Sequence, residues 1–471
     1  MAASSIKANY IFNGEDYAYI LNALKIENGK LILYNEKNPA MMSSVTLPTY
    51  DIESIEPVTN IYNVDTYITT EAQKNDSTTI INSLITTANA NGGGVLKFGS
   101  GVYNVGSITL KPKVHLVGSG VGVTIIKRAN NDSYLESETD GIHNCHGFIN
   151  VPNDAYGCSI TDLSLYSGAT YTPNGNKLMG LTYLSKKING IAINDNTINS
   201  LNSSGAAADA FDVLTSTNSL TGGGNRNQKF LTIRNVSIFG FFGSGIYVGT
   251  YNSDITIDNV LISHCRRDGI TSQGNGNFFS NINIFGTGEC GIRDAGSNNK
   301  YNNIEIDYCG SFSHTGAYGV RLETQRDTLS NVICKYCYSA HYYIAGQYNC
   351  LSNCISDSAG GASKNDSGFS ADNFTVKDVP HVKLAGKCHR IDISIFNSRF
   401  SSYQQIASYP VITESNISNC MLNIVCEGKD AATGGDKKKY AVNDSKINGV
   451  NITSNSIGRD IIGDNILNYI V

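Results

Sequence analysis

The sequence predicts an all-β protein in which the chain winds into a parallel β-solenoid. Three observations support this fold class: a repeat close to 22 residues, an alternation of apolar residues within each repeat, and a composition rich in turn-forming residues. The 471-residue chain contains 47 Gly, 27 Tyr and no Trp, and 16% of its residues are charged. Such a mixture is typical of a globular β protein with many tight turns.

An asparagine heads each repeat. The spacings are 24, 22, 22, 28, 22, 44 and 22 residues along the series Asn235, Asn259, Asn281, Asn303, Asn331, Asn353, Asn397 and Asn419. In the first five repeats the residues at +1 and +3 are apolar or Cys, as at Ile282 and Ile284, which predicts a strand with one buried face. Gly-Ile at +10 and +11 opens a second strand, and a third stretch returns to the next Asn. Strands this short can bury their inner faces only by winding into coils that stack on one another.

Stacked coils bring equivalent residues to roughly 4.8 Å from each other, the spacing of neighbouring strands. The repeated Asn is therefore predicted to form a ladder of side-chain amides that also satisfies the turn backbone. Cys265, Cys309 and Cys337 share position +6 and are predicted to form a column of thiols packed near a corner of the core. The 12 cysteines are scattered, which favours reduced, buried thiols over disulfides or a zinc site.

A helix is predicted just before the coils begin. Asp76 or Ser77 can cap it, and Asn91-Gly92-Gly93-Gly94 ends it. Apolar residues follow helical spacing at Ile80, Ile81, Leu84, Ile85 and Ala88. Because the first coil would otherwise expose an apolar end and an unpaired edge, we expect this helix to cover it.

Three segments after this helix carry a resemblance to a known family. They are residues 92–98 (GGGVLKF), 99–103 (GSGVY) and 114–120 (VHLVGSG). This passage resembles the opening of the pectate-lyase-like superfamily of right-handed parallel β-helices, common in bacteriophage tailspikes and receptor-binding proteins. Gly99 stands where that family usually has Pro. The resemblance implies a right-handed parallel β-helix with an N-terminal capping helix, assembled as a homotrimer.

The chain divides into three predicted segments. Residues 1–60 contain short alternating stretches and a Pro-bearing connector, which predicts a small β-rich head and a linker. Residues 61–460 form the β-helix, and the apolar residues 461–471 cap its last coil or lie between subunits. Insertions near residues 171–187 and 194–227 are expected to leave the coils as loops. In tailspike-like proteins a head of this kind attaches the fibre to other virion proteins, so the resemblance implies that role here.

Composition and motifs disfavour several classes of function. A net charge of −5 provides no broad basic surface for nucleic acid or an anionic membrane. The N-terminus lacks the pattern of a secretory signal, and no run approaches the roughly 20 apolar residues of a membrane span. The Gly-rich stretches lack the features of phosphate or dinucleotide loops, so no cofactor is expected. His143, Cys145 and His146 lack a second ligand cluster, so no metal site is predicted.

A first strip of candidate residues follows the outward side of the second strand and the turn before it. Its members occupy +12, +14, +8 and +9: Tyr247, Thr271, Arg293, Arg321, Tyr343, Glu323, Arg267, Asp268 and Glu289, with Asp294 beside them at +13. Aromatic rings stack on sugars, arginines pair with acidic sugars, and hydrolysis needs two carboxylates roughly 5–9.5 Å apart. Asp268 and Glu289, one coil apart, are the candidate acids, with Glu323 beside them. The alternative is a solvated face with weak ion pairs.

A second strip lies on the outward face of the first strand. It contains Asn283, Phe285, Glu305, Asp307, Ile333 and Lys335. Glu305 and Asp307 alternate on one face, about 7 Å apart by strand rise. They are candidates for an acid and a base, or they merely prevent edge contacts, and the apolar members of the strip suit a subunit interface equally well.

Three functions fit these features. The first is a phage tailspike or appendage that binds, and cleaves by hydrolysis or elimination, a host surface polysaccharide; made in the host cytoplasm, it would be carried on the virion and act at the host cell surface. The second is a free bacterial polysaccharide lyase or glycan-processing enzyme, in which Arg293 or Arg321 would neutralise a uronic acid. The third is a non-catalytic adhesive virion fibre. A polysaccharide depolymerase is favoured.

Overall fold

The structure is a computed structural model that divides into two compact units, Met1–Thr59 and Asn60–Val471. It describes residues 60–129, 147–152, 154–168, 228–250, 252–310, 317–357, 359, 380–387 and 389–395 in full. For strands in residues 1–45, 170–193 and 411–462, and for residues 227 and 396, it describes the backbone. The predicted metal-type residues His143, Cys145 and His146, both predicted loops apart from short strand segments, and residues 463–471 of the predicted cap lie outside the described residues.

The first unit is β-rich, as predicted. Strands Ile6–Phe12 and Glu15–Leu21 pair antiparallel. Strands Ala23–Glu27, Lys30–Asn35 and Asn38–Val45 form a second antiparallel sheet. These pairings differ from the parallel ones of the second unit, so the two units have different architectures.

The second unit is built on two parallel sheets. Among the described residues the long sheet has fifteen strands: Ile61–Asn63, Gly94–Lys97, Gly101–Val105, Val114–Val117, Thr124–Arg128, Ser159–Tyr166, Asn227–Phe239, Asn252–Ser263, Phe278–Phe285, Lys300–Asp307, Thr328–Lys335, Cys350–Asp357, Arg390–Phe396, Met421–Glu427 and Asn451–Ser456. The short sheet has twelve: Ile108–Thr109, Gly147–Val151, Asn189–Ile193, Ile246–Val248, Ile270–Ser272, Ile292–Asp294, Val320–Leu322, Tyr342–Ile344, Val382–Leu384, Val411–Thr413, Tyr440–Asn443 and Asp460–Ile462. From coil to coil, successive strands of the chain pair with one another, which confirms the predicted solenoid.

Two short pairs lie outside these sheets. Thr170–Tyr171 pairs antiparallel with Leu181–Thr182. Ile417–Ser418 pairs parallel with Ile447–Asn448. The first pair falls within the predicted insertion near residues 171–187, consistent with a hairpin that interrupts the coils.

The repeated Asn bends each strand of the long sheet into two arms. From Asn235 to Asn353 all six residues have φ between 51° and 55°, the left-handed region that Asn tolerates better than other non-glycine residues. The predicted ladder is present at three of its five steps, and at the other two Asn281 donates to Asp258 and Asn331 donates to Asn302. Asn259 donates from Nδ2 to Asn235 Oδ1 at 2.8 Å, and Asn303 donates in the same way to Asn281 at 2.7 Å. The Asn thus serves both the bend and the contact between coils.

The glycine before each short strand permits close stacking. A β-carbon on Gly269 would lie 2.6 Å from the carbonyl oxygen of Gly291 in the next coil and 2.6 Å from Cγ2 of Ile284. Gly245, Gly291 and Gly319 make equivalent approaches. The Gly-Ile pair of the sequence therefore marks a corner where successive backbones are too close for a side chain.

A second, inner ladder was not predicted. It lies four residues before each repeated Asn and consists of Asn277, Asn299, Asp327 and Asn349. Each side-chain oxygen accepts a hydrogen bond from the backbone of the preceding rung, as from Asn277 N to Asn299 Oδ1 at 2.9 Å and from Asn299 N to Asp327 Oδ1 at 2.9 Å. The amide of Asn299 also donates to the Gly274 carbonyl at 2.9 Å. Asp327 lacks such an amide, and burial together with the charge of Asp294 raises the pKa of its carboxyl to about 8.

The coil interior is apolar and continuous, with Ile and Val from both sheets at its centre. Cys265, Cys309 and Cys337 are fully buried, as predicted for the thiol column. The eight described cysteines are free thiols. Burial raises the pKa of Cys265 to about 12, so this thiol is protonated and packs as an apolar group.

Two helices precede the first complete coil. Helix α1, Glu71–Asn75, has a capping box between Thr70 and Gln73. Helix α2, Thr78–Ala90, buries Ile81, Leu84, Ile85 and Ala88 against the first strands, as predicted, while Ile80 is only partly buried. Ser77 occupies the cap position, but Asp76 Oδ1 accepts the hydrogen bond from Thr78 N at 2.9 Å. No helix in the described part of the chain has the length and hydropathy needed to span a membrane.

Gly99 stands where the family that this passage resembles usually has Pro. Its surroundings explain why position 99 has no side chain. A β-carbon at Gly99 would collide with the carboxylate of Asp65. The same carboxylate accepts a hydrogen bond from Tyr103 Oη, whose ring packs edge-on against Phe98 with centroids 5.1 Å apart. The departure from the family pattern therefore accommodates the Asp65–Tyr103 contact.

We expect Gly269→Ala to destabilise the β-helix, because the added carbon forces the stacked backbones apart. Overpacking of this kind costs roughly 1–3 kcal/mol. Thermal unfolding followed by circular dichroism would measure the drop in midpoint. Gly122→Ala measures a different cost: Gly122 has φ of 75° but no atom within 4 Å of an added β-carbon, so this variant reports backbone strain without crowding. An unchanged midpoint in Gly269→Ala would contradict the steric explanation.

We expect Asp327→Asn to stabilise the protein at alkaline pH by about 1–3 kcal/mol, because it restores the amide of the inner ladder. The folded-state pKa of Asp327, about 8, exceeds its unfolded value of about 3.9, so this group lowers the unfolding free energy as pH rises from about 4 to about 8.

Urea unfolding at pH 5 and pH 9 measures this effect. Asp258→Asn is the control: hydrogen bonds from Ser280 and Asn281 lower the pKa of Asp258, so its stabilisation is already present at both pH values and the variant should keep the wild-type difference between pH 5 and pH 9. An equal pH dependence of the unfolding free energy in wild type and Asp327→Asn would contradict the raised pKa of Asp327.

Candidate functional site

The first strip forms a column on the outward side of the short sheet, as its spacing predicts. Backbone register pairs Tyr247 with Thr271, Thr271 with Arg293, Arg293 with Arg321, and Arg321 with Tyr343. Residues up to 28 positions apart in sequence thus become adjacent rungs. The column continues to Lys383, which sequence reasoning missed because the long stretch after Asn353 obscured the register.

Charged side chains in this strip are paired. Arg293 Nε lies 3.3 Å from Glu323 Oε2, and Arg321 contacts the other oxygen of the same carboxylate. One coil corner away, Arg267 Nε lies 3.6 Å from Glu289 Oε1. All five side chains are roughly a quarter to a third exposed. Glu323 therefore holds two neighbouring guanidinium groups in a fixed arrangement.

Two tyrosines extend the strip. Tyr318 and Tyr343 stack with ring centroids 5.0 Å apart and planes at 21°. The guanidinium of Arg321 lies 5.6 Å from the Tyr343 ring, and the ammonium of Lys383 lies 5.7 Å from Tyr318. Tyr318 was not among the predicted residues, because an insertion in its coil moves it out of the 22-residue count. Tyr318 is 7% exposed, so of these two rings Tyr343 is the one that reaches the surface beside the cations.

The expected exposure is wrong for four members of this strip, and one of them, Thr271, is buried and donates from Oγ1 to Asp268. Asp268 is 2% exposed, with its carboxylate accepting hydrogen bonds from Thr271 Oγ1 and Cys290 N, each at 2.8 Å. Tyr247 is 7% exposed and donates to Gln273 Oε1 at 3.1 Å, so it offers little open ring face.

Asp294 is fully buried, because +13 points inward when +12 points outward. Asp268, at +9, lies in a turn. Strand alternation does not apply there, so its side chain can point inward. Burial, with a contribution from the Glu289 charge, raises the pKa of Asp268 to about 6. Asp268 therefore supports the turn and is withdrawn from the surface site.

The second strip lies on the long sheet and retains its predicted exposure on the outward face. Glu305 forms an ion pair with Lys335 one coil further along. Asp307 lies between Phe285 and Lys335 in the column of the sheet. Its Oδ1 atom is shielded from solvent and has no hydrogen-bond partner among the described residues. Burial first, and then the charge of Glu305, raises the pKa of Asp307 to about 6.

An aromatic column runs beside the second strip. It contains one ring from each of six stacked coils, Tyr166, Phe239, His264, Phe285, Tyr308 and Tyr336, and we refer to it as the ring column. Successive centroids lie 5.4, 5.2, 5.4, 5.5 and 5.3 Å apart. Sequence reasoning missed it because the rings alternate between positions +4 and +5 of the repeat.

The two strips contain different chemistry. The first combines paired arginines with stacked tyrosines, and its remaining surface acids, Glu289 and Glu323, are bound to arginines. The second contains the carboxyl groups of Glu305 and Asp307 on one strand. Of these two groups, Glu305 forms an ion pair, with Lys335. Within the described residues no three His, Cys, Asp or Glu side chains are grouped to hold a metal ion. Acid–base chemistry therefore fits the second strip better than the first.

These stacked coils define a right-handed parallel β-helix. Among solved structures the chain is similar to tailspike protein 2 of an Escherichia coli O157:H7 bacteriophage, at 13% identity and a TM-score of 0.59, over 96% of this chain and 53% of that one. The chain thus spans about half the length of this tailspike.

Two further structures are similar at lower TM-scores. A mannuronan C-5 epimerase A-module from Azotobacter vinelandii has 15% identity and a TM-score of 0.46, over 85% of this chain and 99% of that one. The catalytic domain of a GH87 α-1,3-glucanase has 14% identity and a TM-score of 0.47, over 81% and 64%. No protein-family model and no curated protein sequence matches this chain.

We expect Glu323→Gln to destabilise the short sheet by roughly 1–3 kcal/mol, because it leaves two adjacent guanidinium groups without their shared carboxylate. High salt should reduce the loss by screening their repulsion. Thermal midpoints at low and high ionic strength would measure both effects. Glu71→Gln is the matched control, since the Glu71–Lys74 pair is largely exposed and should contribute little. A salt-independent change in Glu323→Gln would argue against the shared pairing.

Proposed function

We propose that this protein binds and cleaves a host cell-surface polysaccharide, with Asp307 and Glu305 as its catalytic pair. The observation that carries this proposal is the difference between the two carboxyl groups. Asp307 has a shielded, unpaired oxygen and a pKa raised to about 6, whereas Glu305 is held by Lys335. Two neighbouring acids in unlike environments can fill the two roles of glycoside hydrolysis.

The environment of Asp307 suits a general acid. Its register partners on the neighbouring strands are Phe285 and Lys335, and Tyr308 follows it in sequence. A carboxyl group shielded in this way retains its proton to higher pH than a solvated one. It can therefore donate a proton to the leaving oxygen of a glycosidic bond near neutral pH.

Glu305 suits the partner role. Glu305 is held in an ion pair with Lys335, and a carboxylate positioned in this way can act as a nucleophile or activate water. Alternation along one strand places the two residues about 7 Å apart, within the range of roughly 5–9.5 Å that glycosidases use. The same strand thus supplies both groups in fixed relation.

The first strip supports binding rather than catalysis in this proposal. Arg293 and Arg321 would pair with carboxylates of an acidic sugar, and Tyr343 would stack on a sugar ring. Glu289 and Glu323 would orient Arg267 and the other arginines. Tyr247 and Asp268 have no direct role, because both are buried.

The fold shared with a tailspike supports placing this activity on a virion appendage acting at the host surface. In that setting the head, residues 1–59, would attach to other virion proteins, and the β-helix would assemble as a homotrimer. Light scattering of the full chain tests the trimer directly, since a monomeric mass would exclude it.

Incubation with a panel of purified bacterial capsular and O-antigen polysaccharides tests the activity. We expect the wild-type protein to release new reducing ends from at least one member. Asp307→Asn and Glu305→Gln should each lower the rate about 100-fold or more. Because Asp307 must be protonated, the rate should fall as pH rises through about 6.

Asp254→Asn is the matched control and should retain the wild-type rate, since Asp254 is an exposed acid whose φ of 59° suits Asn. Products containing a carbon–carbon double bond would identify a lyase and exclude the hydrolytic roles. Binding without cleavage of any panel member would instead support an adhesive fibre. Unchanged cleavage by Asp307→Asn would exclude the catalytic pair.

A further inference from the structure

The ring column is too regular to follow from the 22-residue repeat alone. Six consecutive coils each place one half-buried ring at the same corner of the β-helix. Its spacing of 5.2 to 5.5 Å follows the stacking of the coils. The column therefore runs along the axis of the β-helix. It crosses the coil whose strand contains both Glu305 and Asp307.

Two different backbone conformations place these rings at the corner. Phe239 and Phe285 stand at +4 and are followed by Gly240 and Gly286, with φ of 76° and 65°. In the other three repeats the ring itself occupies the left-handed corner at +5, at His264, Tyr308 and Tyr336, with φ of 56°, 56° and 51°.

A bulky residue in the left-handed region is strained by roughly 1–2 kcal/mol, a cost that glycine avoids. Three coils thus accept strain to keep a ring at this corner. Strain of this kind tends to be retained where it has a function.

We propose that the ring column is the binding surface on which a polysaccharide chain lies along the helix axis, leading its glycosidic bonds past Asp307. This inference rests on the proposed function and specifies how the substrate is oriented. One ring per coil matches the repeat of an extended chain of pyranose sugars, each offering a C–H face to one aromatic side chain. The substrate class is therefore an extended pyranose polysaccharide recognised over several units.

The surroundings of the column favour a glycan over a second copy of this chain. Next to the rings runs a charged column in which Asp307, Lys335 and Asp357 occupy successive rungs. The buried centre of a protein–protein interface is depleted of such charges. Tyrosine and histidine are moreover amphipathic rings, suited to a ligand with both apolar faces and hydroxyl groups. Burial lowers the pKa of His264, so its ring is neutral and stacks as an aromatic group.

Single rings can be removed by substituting glycine at position +5. His264→Gly and Tyr336→Gly place at these corners the residue already present at Gly240 and Gly286, and they relieve the strain of a positive φ. Tyr348→Gly is the matched control: Tyr348 has φ of 60° and is 51% exposed, but its ring lies outside the column. All three variants should fold, because the relief of backbone strain offsets part of the ring contacts that are lost, and thermal unfolding verifies this.

Binding is measured in the Asp307→Asn background, using size-fractionated oligosaccharides of the panel polysaccharide that the wild-type protein binds most tightly. We expect affinity to rise with oligosaccharide length until the ligand spans the column. His264→Gly and Tyr336→Gly should each weaken binding of the long oligosaccharides about three- to tenfold, as expected for the loss of one ring contact. Disaccharides should lose little, and Tyr348→Gly should bind as the background protein does.

The outcomes separate this inference from the proposed function. If the wild-type protein binds no polysaccharide of the panel, the proposed function fails and the inference fails with it. If it binds and cleaves but both ring variants bind long oligosaccharides as tightly as the control, only the orientation along the ring column is excluded. A lower mass of the ring variants by light scattering, with unchanged sugar binding, would assign the column to a subunit contact and overturn the inference.

Discussion

The direct stacking of one coil on the next is the constraint on which the rest of this structure depends. Strand pairing holds successive coils at a fixed separation, so a residue type placed once per repeat becomes a column. Asn at the bend satisfies the left-handed backbone and joins its counterparts through side-chain amides. Gly at the next corner permits the backbones to approach. The apolar positions between them then fill one continuous interior.

The same constraint shapes the candidate functional surfaces. Each candidate surface is assembled from residues on successive coils, so each extends along the axis of the β-helix. Glu323 bridges Arg293 and Arg321 only because their rungs are adjacent. Asp307 acquires its raised pKa in a similar way, from burial against the neighbouring rungs and from the charge of Glu305 on its own strand. An elongated polymer is a natural ligand for such a surface.

The predictions from sequence were strongest where a position repeats regularly. The solenoid, the Asn ladder, the thiol column and helix α2 were all predicted and confirmed, and so was the rung-by-rung register of Arg293, Arg321 and Tyr343. The predictions from sequence were wrong at the turns. Asp268 was placed on the surface by counting from Asn259, yet a turn residue does not alternate, and hydrogen bonds from Thr271 and Cys290 hold its carboxylate inside. The ring column escaped notice because its members shift between +4 and +5.

What the sequence determined by itself is therefore the periodic part of the molecule: the solenoid architecture, the side of each strand that is buried, and the residues that share a column. These features depend on local spacing, and spacing is written in the chain. Only the tertiary structure decided which carboxyl groups reach solvent, which charges pair between coils, and that rings from two backbone positions converge on one corner. Those outcomes depend on turn conformation and on burial against neighbouring coils, which arise only when distant segments are packed together.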